Sequence, residues 1–162
     1  MFSVTTVWLR RSAMALTIGA SMFFTVAAKA ADDISGIWLT AERDGHVEIK
    51  PCGDALCGYI ATILDPAVPP DARDLYNEDS KLRSRPICGL KILGDLKDQG
   101  DSWEGWVYDP HESRGKNYSV DVRLKNADTL SLLGYLGVKL LGETQLWTRD
   151  RKPIRRCAVP AK

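Results

Sequence analysis

The chain has 162 residues, 44% of them hydrophobic, and its 22 Lys and Arg face 21 Asp and Glu. That near-neutral balance lacks the basic stripe or domain-wide excess that nucleic-acid binding demands, so no nucleic-acid partner is expected. The length suits one domain with a single core that needs no metal to hold it together.

Arg10 and Arg11 precede an apolar run from Ala13 to Ala28, and Ala28-Lys29-Ala30 supplies the small residues a signal peptidase needs. The run is 16 residues long, short of the roughly 20 that cross a bilayer as a helix. Residues 1–30 are therefore expected to be a cleaved secretory signal peptide. Residues 31–162 are expected to form a single domain, periplasmic or secreted, with no membrane span after cleavage. Leu9 before the arginine pair and Ser12-Ala13-Met14 after it fit twin-arginine export poorly. Cleavage removes Arg10, Arg11 and Lys29 but no acid, leaving 19 basic and 21 acidic residues.

Beyond the signal, hydrophobicity repeats with period two far more often than 3.6. Gly36-Ile37-Trp38 opens a strand over 36–41, and Asp44-Gly45 is a hairpin signal leading into His46-Val47-Glu48-Ile49-Lys50. There Val47 and Ile49 face inward, while His46, Glu48 and Lys50 share a polar face in water. Strands follow over 58–63, 90–93 and 103–108, although the pattern leaves open whether Trp103 or Trp106 points inside. The clearest alternation is 117–124, which places Tyr118, Val120, Val122 and Leu124 in the core and the odd positions in water. Asn126-Ala127-Asp128 turns the chain into 129–133; Gly134, Gly137 and Gly142 then mark bulges or a tight bend before the eighth strand, 143–149.

Eight short strands joined by hairpin-length connections form either a sandwich or a barrel. The bracket of Trp38 and Arg149 favours an all-β, eight-stranded antiparallel up-and-down barrel. Closure pairs the first strand with the last and leaves no edges. Gly36, Trp38 and Arg149 are the expected closure residues, with the guanidinium over the indole contributing about 0.5–2 kcal/mol. A barrel of this size is either filled by side chains or holds one small ligand.

The four cysteines all lie beyond the signal, and an even number in an exported chain points to two disulfides. Four thiols permit three pairings. Cys52 with Cys57 across the Gly53-Asp54 turn, and Cys88 with Cys157, are the favoured set. A zinc site would need further ligands near the cysteines, and His46 and His111 lie in unrelated segments. No metal and no cofactor are expected.

The connection from Asp65 to Pro86 is too long for an ordinary turn and suits a lid or binding segment. Pro66, Pro69 and Pro70 stiffen its start, and Asn77-Glu78-Asp79 resembles a cap that would open a short helix across the barrel mouth. Lys81, Arg83 and Arg85 then offer cations to an anionic headgroup, although Asp71, Asp74, Glu78 and Asp79 balance them. With Tyr59, Trp106, Tyr108, Tyr118 and Val120 they make up the candidate ligand-binding set; the aromatics either line a cavity or fill it. Asp109, His111 and Glu112 invite an acid–base or metal reading, but Asp109-Pro110 and Gly115 mark a solvated hairpin tip. No Gly-x-Ser-x-Gly elbow occurs, and no catalytic residue is assigned.

Taken together, Gly36-Ile37-Trp38, Cys52-Gly53-Asp54-Ala55-Leu56-Cys57-Gly58, Arg85-Pro86-Ile87-Cys88-Gly89-Leu90, Trp103 to Pro110, Gly115-Lys116-Asn117-Tyr118 and Gly142 to Arg149 resemble the exported bacterial domain-of-unknown-function family 2147. The resemblance covers nearly all of 31–162 and implies a lipocalin-like barrel in the cell envelope or outside it, with no catalytic residues to carry over. One departure is His111-Glu112-Ser113-Arg114, which lengthens the tip between Tyr-Asp-Pro and Gly-Lys beyond the family's usual two residues. The functional expectation is non-enzymatic binding of a small apolar or amphipathic ligand. The alternative is a filled barrel that serves as an interaction or inhibitor module for an envelope protein.

Overall fold

A computed structural model describes residues 33–110 and 115–158. The expected signal peptide, His111 and Glu112 lie outside these residues. Eight strands run in chain order, β1 (Gly36–Leu39), β2 (Gly45–Pro51), β3 (Leu56–Ile63), β4 (Lys91–Asp98), β5 (Trp103–Tyr108), β6 (Asn117–Asn126), β7 (Thr129–Tyr135) and β8 (Glu143–Arg149). Each pairs antiparallel with the next, and β8 returns to β1, closing an up-and-down barrel. Among the described residues no helix is long and apolar enough to cross a membrane.

The register follows from alternation, since residues directly opposite each other share a face. Trp38 stands opposite Val47, Gly105 opposite Val120, Trp103 opposite Val122, and Leu130 opposite Trp147. These positions point inward, which settles β5: Trp103 faces the interior, whereas Trp106, opposite Ser119, faces the outer wall. Val47, Ile49, Leu93, Leu96, Val120, Val122 and Leu130 are each 0–1% exposed, so no water-sized space adjoins them and this level of the barrel is filled. Tyr118 and Leu124 are only half-buried, since they lie toward opposite ends of β6.

At one end the barrel is closed by its own termini. Trp38 is fully buried and its indole N–H donates to the Ile34 carbonyl at 2.8 Å. The Arg149 guanidinium stacks 4.1 Å from the Trp38 ring centroid and donates to the carbonyls of Ser35, Asp33 and Ala127. Gly36 is required here. Its φ of +127° suits glycine, and a Cβ would lie 2.9 Å from the guanidinium.

Both expected disulfides form, Cys52–Cys57 across the β2–β3 turn and Cys88–Cys157, with Cα separations of 5.8 and 5.9 Å. The second draws the C-terminal segment over the outer face of β2 and β3, which corrects the expectation for His46. Rather than lying in water, His46 is 7% exposed. Its Nδ1 meets the Thr62 hydroxyl at 2.7 Å and its Nε2 meets Asp150 at 3.1 Å. Sequence alternation assigns a residue to the outer face but does not show that the chain's own tail covers it. Arg156 completes the clasp by donating twice to Glu48, and the Cys157 N–H donates to the Ala61 carbonyl at 2.9 Å.

The Arg156 hydrogen bonds, aided by Lys50, lower the Glu48 pKa from its usual 4.5 to about 2. A carboxylate depressed on folding contributes stability that is present above its unfolded pKa and lost as pH falls through the folded value. In urea denaturation, the wild type is therefore expected to be more stable than Arg156→Ala at pH 7, with the gap narrowing from about pH 4.5 and closing near pH 2. A gap independent of pH would show that the ion pair contributes nothing.

Candidate functional site

The up-and-down path places connections 40–44, 64–90 and 136–142, together with residues 109–110 and 115–116, at the barrel end opposite Arg149. The longest of these, 64–90, folds back onto the outer wall of the barrel through a buried polar cluster. Asp74 is fully buried and accepts hydrogen bonds from Arg85 Nε at 2.7 Å, Asn77 Nδ2 at 2.9 Å and the Tyr108 hydroxyl at 2.5 Å. Asn77 Nδ2 also donates to the Tyr108 oxygen at 2.7 Å, and the Arg85 guanidinium lies 5.0 Å from the Tyr108 ring centroid. One carboxylate thus ties two points of the connection to the end of β5. Burial, followed by the Asp74 carboxylate, raises the Tyr108 pKa above its ordinary value, so the phenol stays protonated and able to donate.

The rest of the connection is braced by local bonds. Arg83 Nε donates to the Asn77 carbonyl at 2.7 Å, and Arg73 donates to the Ser84 carbonyl at 2.9 Å. The expected short helix is a single 3-10 turn, Ser80–Leu82. Its cap is Asp79, which accepts from the Lys81 N–H, while Asn77 Oδ1 accepts from the Asp79 N–H one step earlier. These turns fix where the helix starts, and its continuation is disfavoured by Arg85, which precedes Pro86 and turns toward Asp74.

Between this connection and the outer wall of β4, β5 and β6 lies a pocket of about 300 Å³. The connection contributes Asn77, Glu78, Asp79, Leu82 and Arg85; the wall contributes Lys91, Trp106, Tyr108 and Asn117; the β5–β6 tip contributes Gly115 and Lys116. Trp106 supplies the pocket's largest apolar plane. Its ring lies against Gly94, where a Cβ would come within 2.2 Å of it. Its N–H donates to Asp95 at 2.9 Å, and Lys91 Nζ stands 5.4 Å from its centroid. Asp95 reaches the indole because β4 is bulged at this point, with φ of 51° at Asp95.

Of the sequence-derived ligand-binding residues, Trp106, Tyr108 and Arg85 converge on this pocket. Tyr118 and Val120 point into the barrel instead. Tyr59 lies on the outer wall opposite Glu48, with Lys50 Nζ 5.1 Å from its ring. Lys81 is exposed on the 3-10 turn, and Arg83 braces the connection. Sequence reasoning missed Lys91, Lys116 and Asn117 as lining residues and the central role of Asp74. A lone acid among many in a long polar loop carries no signal of burial. Asp109 flanks the β5–β6 tip, and among the described residues no group of three or more His, Cys, Asp or Glu is arranged to hold a metal ion.

The profile of a family described as "Uncharacterized protein conserved in bacteria (DUF2147)" matches residues 36–149. Among solved structures, the chain is similar to one described as "Protein HP1028 from the human pathogen Helicobacter pylori belongs to the lipocalin family". That similarity has a TM-score of 0.64 at 26% identity, covering 73% of this chain and 83% of the other. Comparison with curated proteins finds no match.

Removing the Asp74 carboxylate strands a guanidinium, an amide and a phenol together. Asp74→Ala is expected to cost about 3–5 kcal/mol in equilibrium denaturation, the range for breaking one side of a buried ion pair. A loss below about 1 kcal/mol would show that the connection is held by other means.

Proposed function

This chain belongs to the DUF2147 family, and from that membership and its lipocalin-like barrel we propose that it is an exported, non-enzymatic carrier of one small amphipathic molecule. The pocket between residues 77–85 and the outer wall of β4–β6 carries this reading. Its volume of about 300 Å³ lies at the low end for small-ligand sites, and its residues are of two kinds. Trp106, Leu82 and the Tyr108 ring suit an apolar or aromatic body, while Arg85, Lys91 and Lys116 suit a carboxylate, sulfonate or phosphate at its edge. The filled level of the barrel, where Val120 and Val122 are 0–1% exposed, favours this wall site over the interior.

The Asp74 clamp supports a preformed pocket, which spares a ligand the entropy of ordering the connection. Export, with cleavage after residue 30, is part of the proposal. Two disulfides are in keeping with an oxidising compartment, and N-terminal sequencing of the mature protein checks the cleavage point. With all four cysteines in disulfides, no thiol remains for nucleophilic catalysis.

Isothermal titration with decanoate and with anilinonaphthalene sulfonate tests the site. Saturable binding at one site is expected, weakened at least about tenfold by Trp106→Ala with the barrel's circular dichroism unchanged. Binding that survives Trp106→Ala but is abolished by Val120→Trp would move the ligand into the barrel. No saturable binding of either probe would contradict the carrier reading.

A further inference from the structure

β1 is four residues long and meets β8 only at Trp38 with Arg149 and Leu39 with Thr148. Residues 143–147 therefore run past the end of β1, with β7 on one side and, among the described residues, no strand on the other. The direction of the neighbouring amides shows what this edge presents. Arg149 N–H turns toward Asp128, on the β7 side, and Asp150 N–H turns toward Ile37 of β1. Backbone groups alternate along an antiparallel strand, so Thr144 and Leu146 direct both N–H and C=O to the unpaired side.

Such edges are ordinarily blunted by charge, proline or cover. This one carries a single charge, Glu143, and its residues are exposed apart from Trp147. The preceding connection projects Leu140 and Leu141, which are 92% and 81% exposed. They are held outward because Lys139, beside them in the 3-10 turn Lys139–Leu141, reaches back to Asp121 at 2.6 Å and to Glu104.

We propose that a second copy of the chain completes this edge, by antiparallel β8-to-β8 pairing about a twofold axis at Gln145. In that register Thr144 of each copy stands opposite Leu146 of the other, and both are hydrogen-bonded pairs, giving four backbone bonds across the axis. Glu143 stands opposite Trp147 of the second copy, so the two carboxylates lie four positions apart, about 13 Å, beyond the screening length of about 8 Å. An axis at Thr144 draws the carboxylates together, and an axis at Leu146 spends a pair on Thr148, which already faces Leu39. Backbone pairing and charge therefore select the same register. Leu146, 54% exposed, comes to lie beside Thr144 of the second copy, and the leucine-bearing turn runs alongside the second copy's β8.

Sedimentation equilibrium of the purified protein across the micromolar range is expected to show a monomer–dimer equilibrium. Thr144→Pro deletes one edge amide per copy without touching the β7 ladder, and is expected to weaken the dimer at least about tenfold with unchanged circular dichroism. Gln145→Cys places two thiols at the axis, where opposed Cα atoms of about 4.5 Å suit a disulfide, and is expected to cross-link; Glu143→Cys is not. A monomer at every concentration, a dimer indifferent to Thr144→Pro, or equal cross-linking by the two cysteine variants would overturn the proposal. So would a monomer that instead binds phosphatidylglycerol vesicles, which would assign the apolar turn to a lipid surface.

Discussion

The closure of the barrel between its first and last strands depends on one guanidinium. Arg149 arrives on the last strand, covers the buried Trp38 indole of the first, and donates to three backbone carbonyls, two before β1 and one in the β6–β7 turn. Without it these carbonyls would lose their charge-assisted donors, and the indole would lose its cover. Burial lowers the Arg149 pKa, which reflects how much water has been removed around the group. The strand-to-strand contact that accompanies it is small, two residue pairs, so side-chain chemistry rather than ladder length makes the closure. That economy has a consequence at the other end, where β8 outruns β1 and leaves its backbone edge open.

Two segments outside the strands are fastened to the outer wall by polar contacts. The C-terminal tail uses Asp150, Arg156 and a disulfide to cover His46 and Glu48, while the β3–β4 connection uses Asp74 to reach Tyr108. Both clamps act on outward-facing residues, and the pocket lies beneath the second. The interior provides rigidity and the wall provides chemistry. The lining of this pocket includes loop residues that the core does not constrain.

Strand number, order and closure were legible in the sequence because alternation is a local property and the Trp38 to Arg149 bracket marks both ends. The disulfides were legible for a similar reason, since the turn residues Gly53-Asp54 favour Cys52 with Cys57 and that pair leaves Cys88 to Cys157. What escaped was tertiary cover. The β-rich run over 90–93 places the end of this strand at Leu93, yet β4 makes a bulge beyond Gly94 and continues to Asp98. Alternation places His46 and Asp121 in water, yet both are buried, one by the tail and the other by Arg123 and Lys139. Burial alone works to raise the Asp121 pKa, and those two cations more than offset it. Of the candidate site, Trp106, Tyr108 and Arg85 were found by residue type. That they meet on the outer wall rather than inside depends on register and on a long-range clamp that no short motif records.

The central claim is that Trp38 and Arg149 close the barrel as a coupled pair. A double-mutant cycle on folding stability, with Trp38→Leu, Arg149→Met and the double variant, tests it directly. A coupling energy of about 1–3 kcal/mol is predicted, since each single change forfeits the same contact. Effects that add to within about 0.5 kcal/mol would show that the two residues act independently, and the closure described here would be wrong.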